Sequence, residues 1–324
     1  MKKILITGGS GFLGFALANK LRKKYKIIIF DNNFRGSFDK FQLNQKSNVT
    51  LVKGDIRNEK QVLNVSKGCD IIYHLAFING TSHFYDRPKL VMDVGIQGTI
   101  NILKSCLVNK KIKKFYFASS SEVYFKPKFY PTKENEYLIV PDPKNPRFSY
   151  SGSKIIGEIL SFNYLRESKI KFNIFRPHNV FGPNMGFEHV IPEIIKKIFI
   201  KTNKFRKKVC TIKIQGTGNE TRSFCFVEDA VNQLEIIQTK GKNFEIYNIG
   251  QTKEISVKKL IQDISKILKI KVILQTTGLR EGSVNRRCPN ILKIKKIGYK
   301  SKNNYQKGLT KTVNWYKNFY EKKL

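Results

Sequence analysis

The sequence predicts an α/β fold, a doubly wound parallel sheet with a smaller, discontinuous C-terminal lobe. Three observations lead there. Short β-branched runs alternate with longer helical stretches up to Pro177. The strand-like runs are apolar without polar alternation, as in strands covered by helices on both faces. Beyond Pro177 the alternation stops, and loops carrying Gly182-Pro183, Gly186, Gly216 and Gly218 separate single elements.

In order, residues 4–7 read as the first strand and 12–24 as the first helix, with Leu13, Leu17 and Leu21 on one face. Strands follow at 27–30, 49–53 and 71–75. Residues 89–109 form a long helix, 115–119 a fifth strand, 150–168 another helix and 172–176 the strand after it. Past Pro177, residues 190–200 read as a helix, and 211–214, 222–226 and 244–248 as strands. A helix over 256–268 has Ser256 as its cap.

The chain has 324 residues, 40% hydrophobic and 12% aromatic, which excludes a disordered or fibrous chain. No apolar run reaches the roughly 18–20 residues of a membrane span. Only three apolar residues follow Met1-Lys2-Lys3, too few for a signal-peptide core, so a cytoplasmic location is expected. Five cysteines (Cys69, Cys106, Cys210, Cys225, Cys288) lack a CxxC pair and read as reduced, buried thiols, with no metal site. There are 61 Lys and Arg against 24 Asp and Glu, a formal charge of +37. Only 12 of the basic residues are Arg, only five residues are Ala, and the Lys excess runs from end to end. A nucleic-acid reader concentrates charge in a stripe with aromatics between. The charge therefore reads as a solvated surface, with neither a specific nucleic acid nor a membrane as partner.

Two motifs carry chemistry. Thr7-Gly8-Gly9-Ser10-Gly11-Phe12-Leu13-Gly14 joins the first strand to the first helix. Gly8, Gly11 and Gly14 permit a tight turn, close approach of backbone to a pyrophosphate, and close helix–strand packing. The helix N-terminus offers amides and a positive dipole end to the phosphates. Asp31 ends the second strand; a carboxylate there accepts from a ribose 2′-hydroxyl and repels a 2′-phosphate, which favours NAD and a Rossmann domain. The second motif is Tyr150-Ser151-Gly152-Ser153-Lys154, whose i and i+4 side chains share a helix face. The nearby ammonium is expected to lower the Tyr150 pKa toward use as a base, and Lys154 can also bond the nicotinamide ribose.

With these motifs the chain resembles the extended short-chain dehydrogenase/reductase family, in its NAD-dependent nucleotide-sugar epimerase/dehydratase branch, over nearly its whole length. Further matches are Gly54-Asp55-Ile56-Arg57, His74-Leu75-Ala76-Phe77, Ser119-Ser120-Ser121-Glu122-Val123-Tyr124, Arg176-Pro177-His178-Asn179-Val180-Phe181-Gly182-Pro183, Arg222 to Asp229, and Arg280-Glu281-Gly282-Ser283 with Arg286 to Asn290. The resemblance implies that Gly8, Gly11, Phe12, Leu13, Gly14, Asp31, Asp55, Ile56, Leu75, Ala76, Tyr150 and Lys154 hold NAD. It implies Ser120, Tyr150, Lys154 and Glu122 at the reacting sugar, and Asn179, Arg222 and Arg280 on a nucleotide-diphosphate sugar. Residues 1–176, with about 224–249, would form the NAD-binding domain, and 177–223 with 250–324 the sugar-binding lobe.

In the family mechanism Tyr150 takes a sugar hydroxyl proton while hydride passes to NAD, and Ser120 bonds that oxygen. A transient 4-keto sugar is then reduced from its other face, inverting C4. The branch's 4,6-dehydratases carry Thr-Asp-Glu where this chain has Ser120-Ser121-Glu122, so dehydration lacks its acid. The expected reaction is C4 epimerisation. The alternatives are a dehydratase, a uronate decarboxylase or a ketoreductase, and, without catalysis, an NAD- or RNA-binding protein. Glu122 is either a second acid/base or an orienting group. Gly95 stands where the family commonly has Asn, and Ser283 where it often has Asp. His178, His189 and Met185 line the expected sugar loop, each His equally able to be structural, and His74 packs beneath the cofactor. Arg176, Arg222, Arg280, Arg286 and Arg287 are expected to face a ribose or diphosphate. Helices 89–109 and 150–168, with Leu90, Val94, Ile100, Leu103, Ile155, Ile159 and Phe162, have the spacing of a homodimer bundle, although core packing gives the same pattern.

Overall fold

Parallel strands need crossover helices, and the chain supplies them in turn. In the computed structural model, which describes residues 1–42, 48–278, 284–302 and 304–323, seven parallel strands form one sheet. Its order is Glu245–Ile249, Lys171–Pro177, Lys114–Ala118, Ile71–His74, Lys3–Thr7, Lys26–Asp31, Val49–Lys53. The first strand lies between the second and fourth, with Thr7 in register with both Phe30 and His74. Strand order reverses at this point, so a crevice opens beyond the carboxyl ends, where such sheets bind ligands.

The strands are buried as continuous apolar runs: Ile4, Leu5, Ile6, Ile72, Phe115, Phe117, Phe172 and Ile174 are fully covered. Helix Phe12–Leu21 starts at Gly11, which caps it without a side chain, and ends three residues before the expected Lys24. The backbone there tightens: the amides of Lys24 and Tyr25 both return to the Leu21 carbonyl. Helices Pro88–Val108 and Ser149–Leu165 lie within a residue or three of expectation and pack on each other. Among the described residues no helix is long and apolar enough to cross a membrane.

Past Pro177, the expected strand at 222–226 divides in two. Thr221–Ser223 lies between Glu254–Ser256 and Arg286–Arg287, whereas Cys225–Phe226 pairs with Val180–Phe181. Strand Val209–Gln215 pairs in parallel with Lys271–Thr277. Ser256 caps helix Val257–Leu268 as expected, accepting from the Lys259 amide at 3.1 Å. A C-terminal helix, Tyr305–Lys323, buries Leu309, Val313, Tyr316 and Tyr320 in a core that runs unbroken from Ile4 and Ile6 to Ile195 and Leu260.

Candidate active site

At the crevice, Gly8 adopts φ +68°, and a Cβ there would come within 2.6 Å of the Ala76 backbone. A Cβ on Gly14 would lie 2.6 Å from Gly9 Cα. The turn is therefore a cradle only glycine permits, and the uncapped first helical turn above it leaves amides for an anion. These residues fit a dinucleotide diphosphate. Asp31 braces the turn, its two oxygens accepting from the amides of Ser10 (3.0 Å) and Asn33 (2.8 Å). Phe12, Leu13, Asp31, Asp55, Ile56, Leu75 and Ala76 all line the same cleft. Asp55 is engaged by Arg57 at 2.7 Å, a bond that lowers its pKa against partial burial.

His74 sits beneath the floor. Its ring nitrogens meet Thr7 Oγ1 at 2.8 Å and Thr99 Oγ1 at 3.1 Å, and burial, with Lys154 nearby, brings its pKa down to about 3. It is a neutral packing group. Gly95 has a local reason too: a Cβ would come within 2.7 Å of Ser153 Cβ, where helix Pro88–Val108 backs the helix bearing Tyr150.

Tyr150 opens that helix, buried beside Ser120. The expected lowering of its pKa is not what this geometry produces. Burial pushes the phenol up to about 12, against a Ser120 hydrogen bond and the charges of Arg35 and Arg147. Lys154 is fully buried with its ammonium 5.6 Å from the Tyr150 ring centroid. Its Nζ instead donates to the Ala118 carbonyl and lies 2.9 Å from the centroid of Phe77. Burial drives the Lys154 pKa well below its ordinary value, with Glu158 opposing. Phe84 stacks on Tyr150 at 4.9 Å, and with Phe77 edge-on the aromatic rings wall the phenol on two sides.

Glu122 is clamped. One oxygen accepts from Arg147 Nη2 at 3.0 Å and the other from Arg287 Nη1. Burial alone would raise its pKa, but the Arg287 and Arg147 charges overcome that and hold the carboxyl at about 2. Ser121 is buried beside it. Asn179 lines the cleft at φ +42°, and among the described residues its Nδ2 is buried without a hydrogen-bond partner.

The arginines sort differently from expectation. Arg176 turns away from the cleft into a buried bidentate pair with Glu158, at 2.8 and 2.5 Å, and donates to Tyr124 Oη at 2.7 Å. Arg286 pairs with Glu254 on the surface. Arg222 donates to the carbonyls of Thr221, Val284 and Asn285, and burial with the adjacent Arg287 brings its pKa down to about 10. Arg280 and Ser283 lie outside the described residues. His178 is buried against Asn248 Oδ1 at 3.1 Å, whereas His189 and Met185 line the cleft. Phe77, in the matched run after strand Ile71–His74, lines it too, and Arg35, Phe84, Arg147 and Glu188 do so unforeseen. Arg147 lies three residues before Tyr150, one helical turn, and that spacing was a usable signal. Among the described residues no three His, Cys, Asp or Glu side chains cluster to hold a metal ion.

Known proteins resemble the chain in sequence and in fold. The chain is 34% identical over 318 residues to a putative UDP-glucose 4-epimerase of Methanocaldococcus jannaschii, covering 97% of this chain and 98% of that one. It is 30% identical to a trifunctional UDP-glucose 4,6-dehydratase/UDP-4-keto-6-deoxy-D-glucose 3,5-epimerase/UDP-4-keto-L-rhamnose-reductase of Arabidopsis thaliana, spanning 97% of this chain but only 47% of that enzyme. In fold it matches a UDP-N-acetylglucosamine 4-epimerase of Methanobrevibacter ruminantium, solved with UDP-N-acetylmuramic acid. That match has a TM-score of 0.86 at 24% identity and covers 99% of each chain. The model of one family matches residues 4–250, from the first strand through the glycine turn, Ser120, Tyr150 and Lys154 to the last strand of the sheet. The chain belongs to the NAD dependent epimerase/dehydratase family.

Proposed function

We propose that the chain is an NAD-dependent nucleotide-sugar epimerase that inverts C4 of an NDP-sugar through a transient 4-keto sugar. The observation that carries this reading is the state of Glu122. Dehydration needs an acid for the leaving hydroxyl and a base for the neighbouring proton. Here position 121 is a serine, and both oxygens of Glu122 are held by arginines with the carboxyl at about 2, which makes it a weak proton acceptor. Epimerisation needs only Ser120 and Tyr150, which meet.

NAD, when bound, supplies the acceptor and donor of hydride at C4. Tyr150 takes the hydroxyl proton and returns it, with Ser120 bonding the same oxygen. The phenol must first come down from about 12; the Ser120 hydrogen bond and the Arg35 and Arg147 charges act in that direction, and in this reading the Lys154 ammonium, 5.6 Å from the ring centroid, adds to them. Asn179 Nδ2 and Arg287 Nε, buried without partners among the described residues, offer donors to the NDP group, and Arg222 beside Arg287 adds charge. The same reading includes a homodimer through helices Pro88–Val108 and Ser149–Leu165, where Ile159 is 55% exposed and Val108 62%.

Incubation with a panel of NDP-hexoses and NDP-uronic acids, followed by mass spectrometry, tests the reaction. An isomer of unchanged mass is expected. Loss of water or of carbon dioxide would make the enzyme a dehydratase or decarboxylase instead.

A further inference from the structure

Ser120 reaches Tyr150 from a short segment, and residues before and after it are tied to one buried ion pair. Helix Ser149–Leu165 carries Tyr150, Lys154 and Glu158 at four-residue spacing, along one face. The three meet consecutive residues at the end of strand Lys114–Ala118. Lys154 Nζ donates to the Ala118 carbonyl, Ser119 Oγ donates to Glu158 Oε1, and Ser120 bonds Tyr150. Gly157 lets the helix close on the strand at this point, since a Cβ there would run into the Phe117 ring.

Arg176, on the neighbouring strand Lys171–Pro177, completes the anchor from the other side. Its Nε and Nη2 donate to the two oxygens of Glu158 at 2.8 and 2.5 Å. Its Nη1 donates at 2.7 Å to Tyr124 Oη, at the far end of the turn Ser121–Tyr124 that follows Ser120. Ser119 and Tyr124 therefore hang from one Glu158–Arg176 pair, with Ser120 between them. The Ser120 hydroxyl also caps that turn, accepting from the Glu122 amide at 3.2 Å. Ser119, Tyr124, Glu158 and Arg176 are each only 2–3% exposed. An ion pair this deep gives up its hydration, and apolar side chains of similar size often stabilise a core as well. Stability is thus a weak reason for the pair. Direction is a stronger one, because a forked bond fixes the orientation of both partners.

We propose that Glu158, aligned by Arg176, is a positioning residue that holds Ser119 and Tyr124 so that Ser120 stands within hydrogen-bond reach of Tyr150. Glu158 acts from behind the cleft, which Ser119 and Ser120 line. This rests on the reading of Ser120 and Tyr150 as the reacting pair.

The test separates placement from stability. It compares wild type with Ser119→Ala, Glu158→Gln and the double variant Glu158→Leu/Arg176→Met, which exchanges the pair for apolar side chains. Melting temperature is measured for each, and kcat and KM with the member of the NDP-sugar panel that wild type converts, UDP-glucose being tried first. Crystals of each variant give the separation of Ser120 Oγ and Tyr150 Oη. A misplacement of about 1 Å costs on the order of 100-fold in rate, so kcat should fall about 10-fold in Ser119→Ala and about 100-fold in Glu158→Gln. KM should stay within about twofold, because the groups that bind the substrate are untouched. The double variant should recover the wild-type melting temperature and keep the low kcat. In all three the Ser120–Tyr150 separation should grow, by about 1 Å in Glu158→Gln.

Wild-type kcat in Ser119→Ala or in the double variant overturns the proposal. A raised KM with kcat intact does so too, and would place Glu158 in substrate binding. A low kcat at an unchanged Ser120–Tyr150 separation is the third such result, since the pair would then act through its charge. Should the double variant fold poorly, Ser119→Ala decides, because it removes a single hydroxyl. Wild type that converts no NDP-sugar fails the epimerase reading itself, and the separation still decides whether Glu158 places Ser120.

Discussion

Tyr150 and Glu122 show how far a side chain's neighbours decide its chemistry. The Tyr-xxx-Lys spacing was legible because i and i+4 are local, but the direction of the phenol's pKa was not. That depends on Phe77 and Phe84, which arrive from other elements and exclude water. Tyr150→Phe should lower turnover by about 10²–10⁴ while NAD content stays at the wild-type level, the range of a lost general base. Full activity in that variant would end the mechanism. In the proposed mechanism the phenolate is the active form, so kcat should rise with pH, and Lys154→Met should move that rise to higher pH. Glu122 makes a separate prediction about stability. Its folded-state pKa, about 2, lies below the ~4.3 of an unfolded chain. The stabilisation is thus fully present above about pH 4.3 and is lost as pH falls toward 2. Glu122→Gln should flatten the melting temperature across that acid window and leave the slope near neutrality alone. Arg287, 165 residues away from Glu122, could not be read as its partner from sequence.

Among the elements, those with one dominant period were legible and those serving two neighbours were not. The apolar strands of the large sheet and the helices at Pro88–Val108 and Ser149–Leu165 came within a few residues. The run at 222–226 looked like one strand because Phe224, Cys225 and Phe226 follow Arg222-Ser223 with no glycine or proline between them. Phe224 turns the chain between two sheets, a tertiary demand no local pattern encodes. The C-terminal helix was missed although Leu309, Val313, Tyr316 and Tyr320 repeat at helical spacing; the lysines between them hid the stripe. Gly95 carries the element-scale prediction. A methyl there meets Ser153 at 2.7 Å, under the helix that holds Tyr150 and Lys154. Gly95→Ala should destabilise by about 1–3 kcal/mol, the cost of overpacking, despite alanine's better helix propensity. Thermal unfolding checks the sign: a melting temperature equal to or above wild type would mean the two helices can part without loss.

At the scale of the whole molecule the charge is sorted by depth. The buried cations, Lys154 and Arg176, are occupied by carbonyls, rings and Glu158, whereas Arg35, Arg147 and Arg287 stand at the cleft. Lysines such as Lys24, Lys104, Lys111 and Lys311 lie on the surface in exposed pairs with Glu235, Glu59, Asp70 and Glu228, each worth little. A formal +37 spread this way still makes a long-range positive field, and a diphosphate approaching the cleft is an anion entering it. The field should therefore act on encounter and not on chemistry. Raising ionic strength from ~0.01 to ~0.15 M shortens the Debye length from about 30 to about 8 Å and should lower kcat/KM for an NDP-sugar several-fold through KM. The value of kcat should hold, because Tyr150 is buried from salt. A mixed-sequence RNA should bind with a steep salt slope that Tyr150→Phe and Arg287→Ala leave unchanged, since the charges it meets are the dispersed lysines. If instead Arg287→Ala abolished RNA binding, or kcat/KM stayed flat with salt, the lysine field would have no part in bringing substrate to the site.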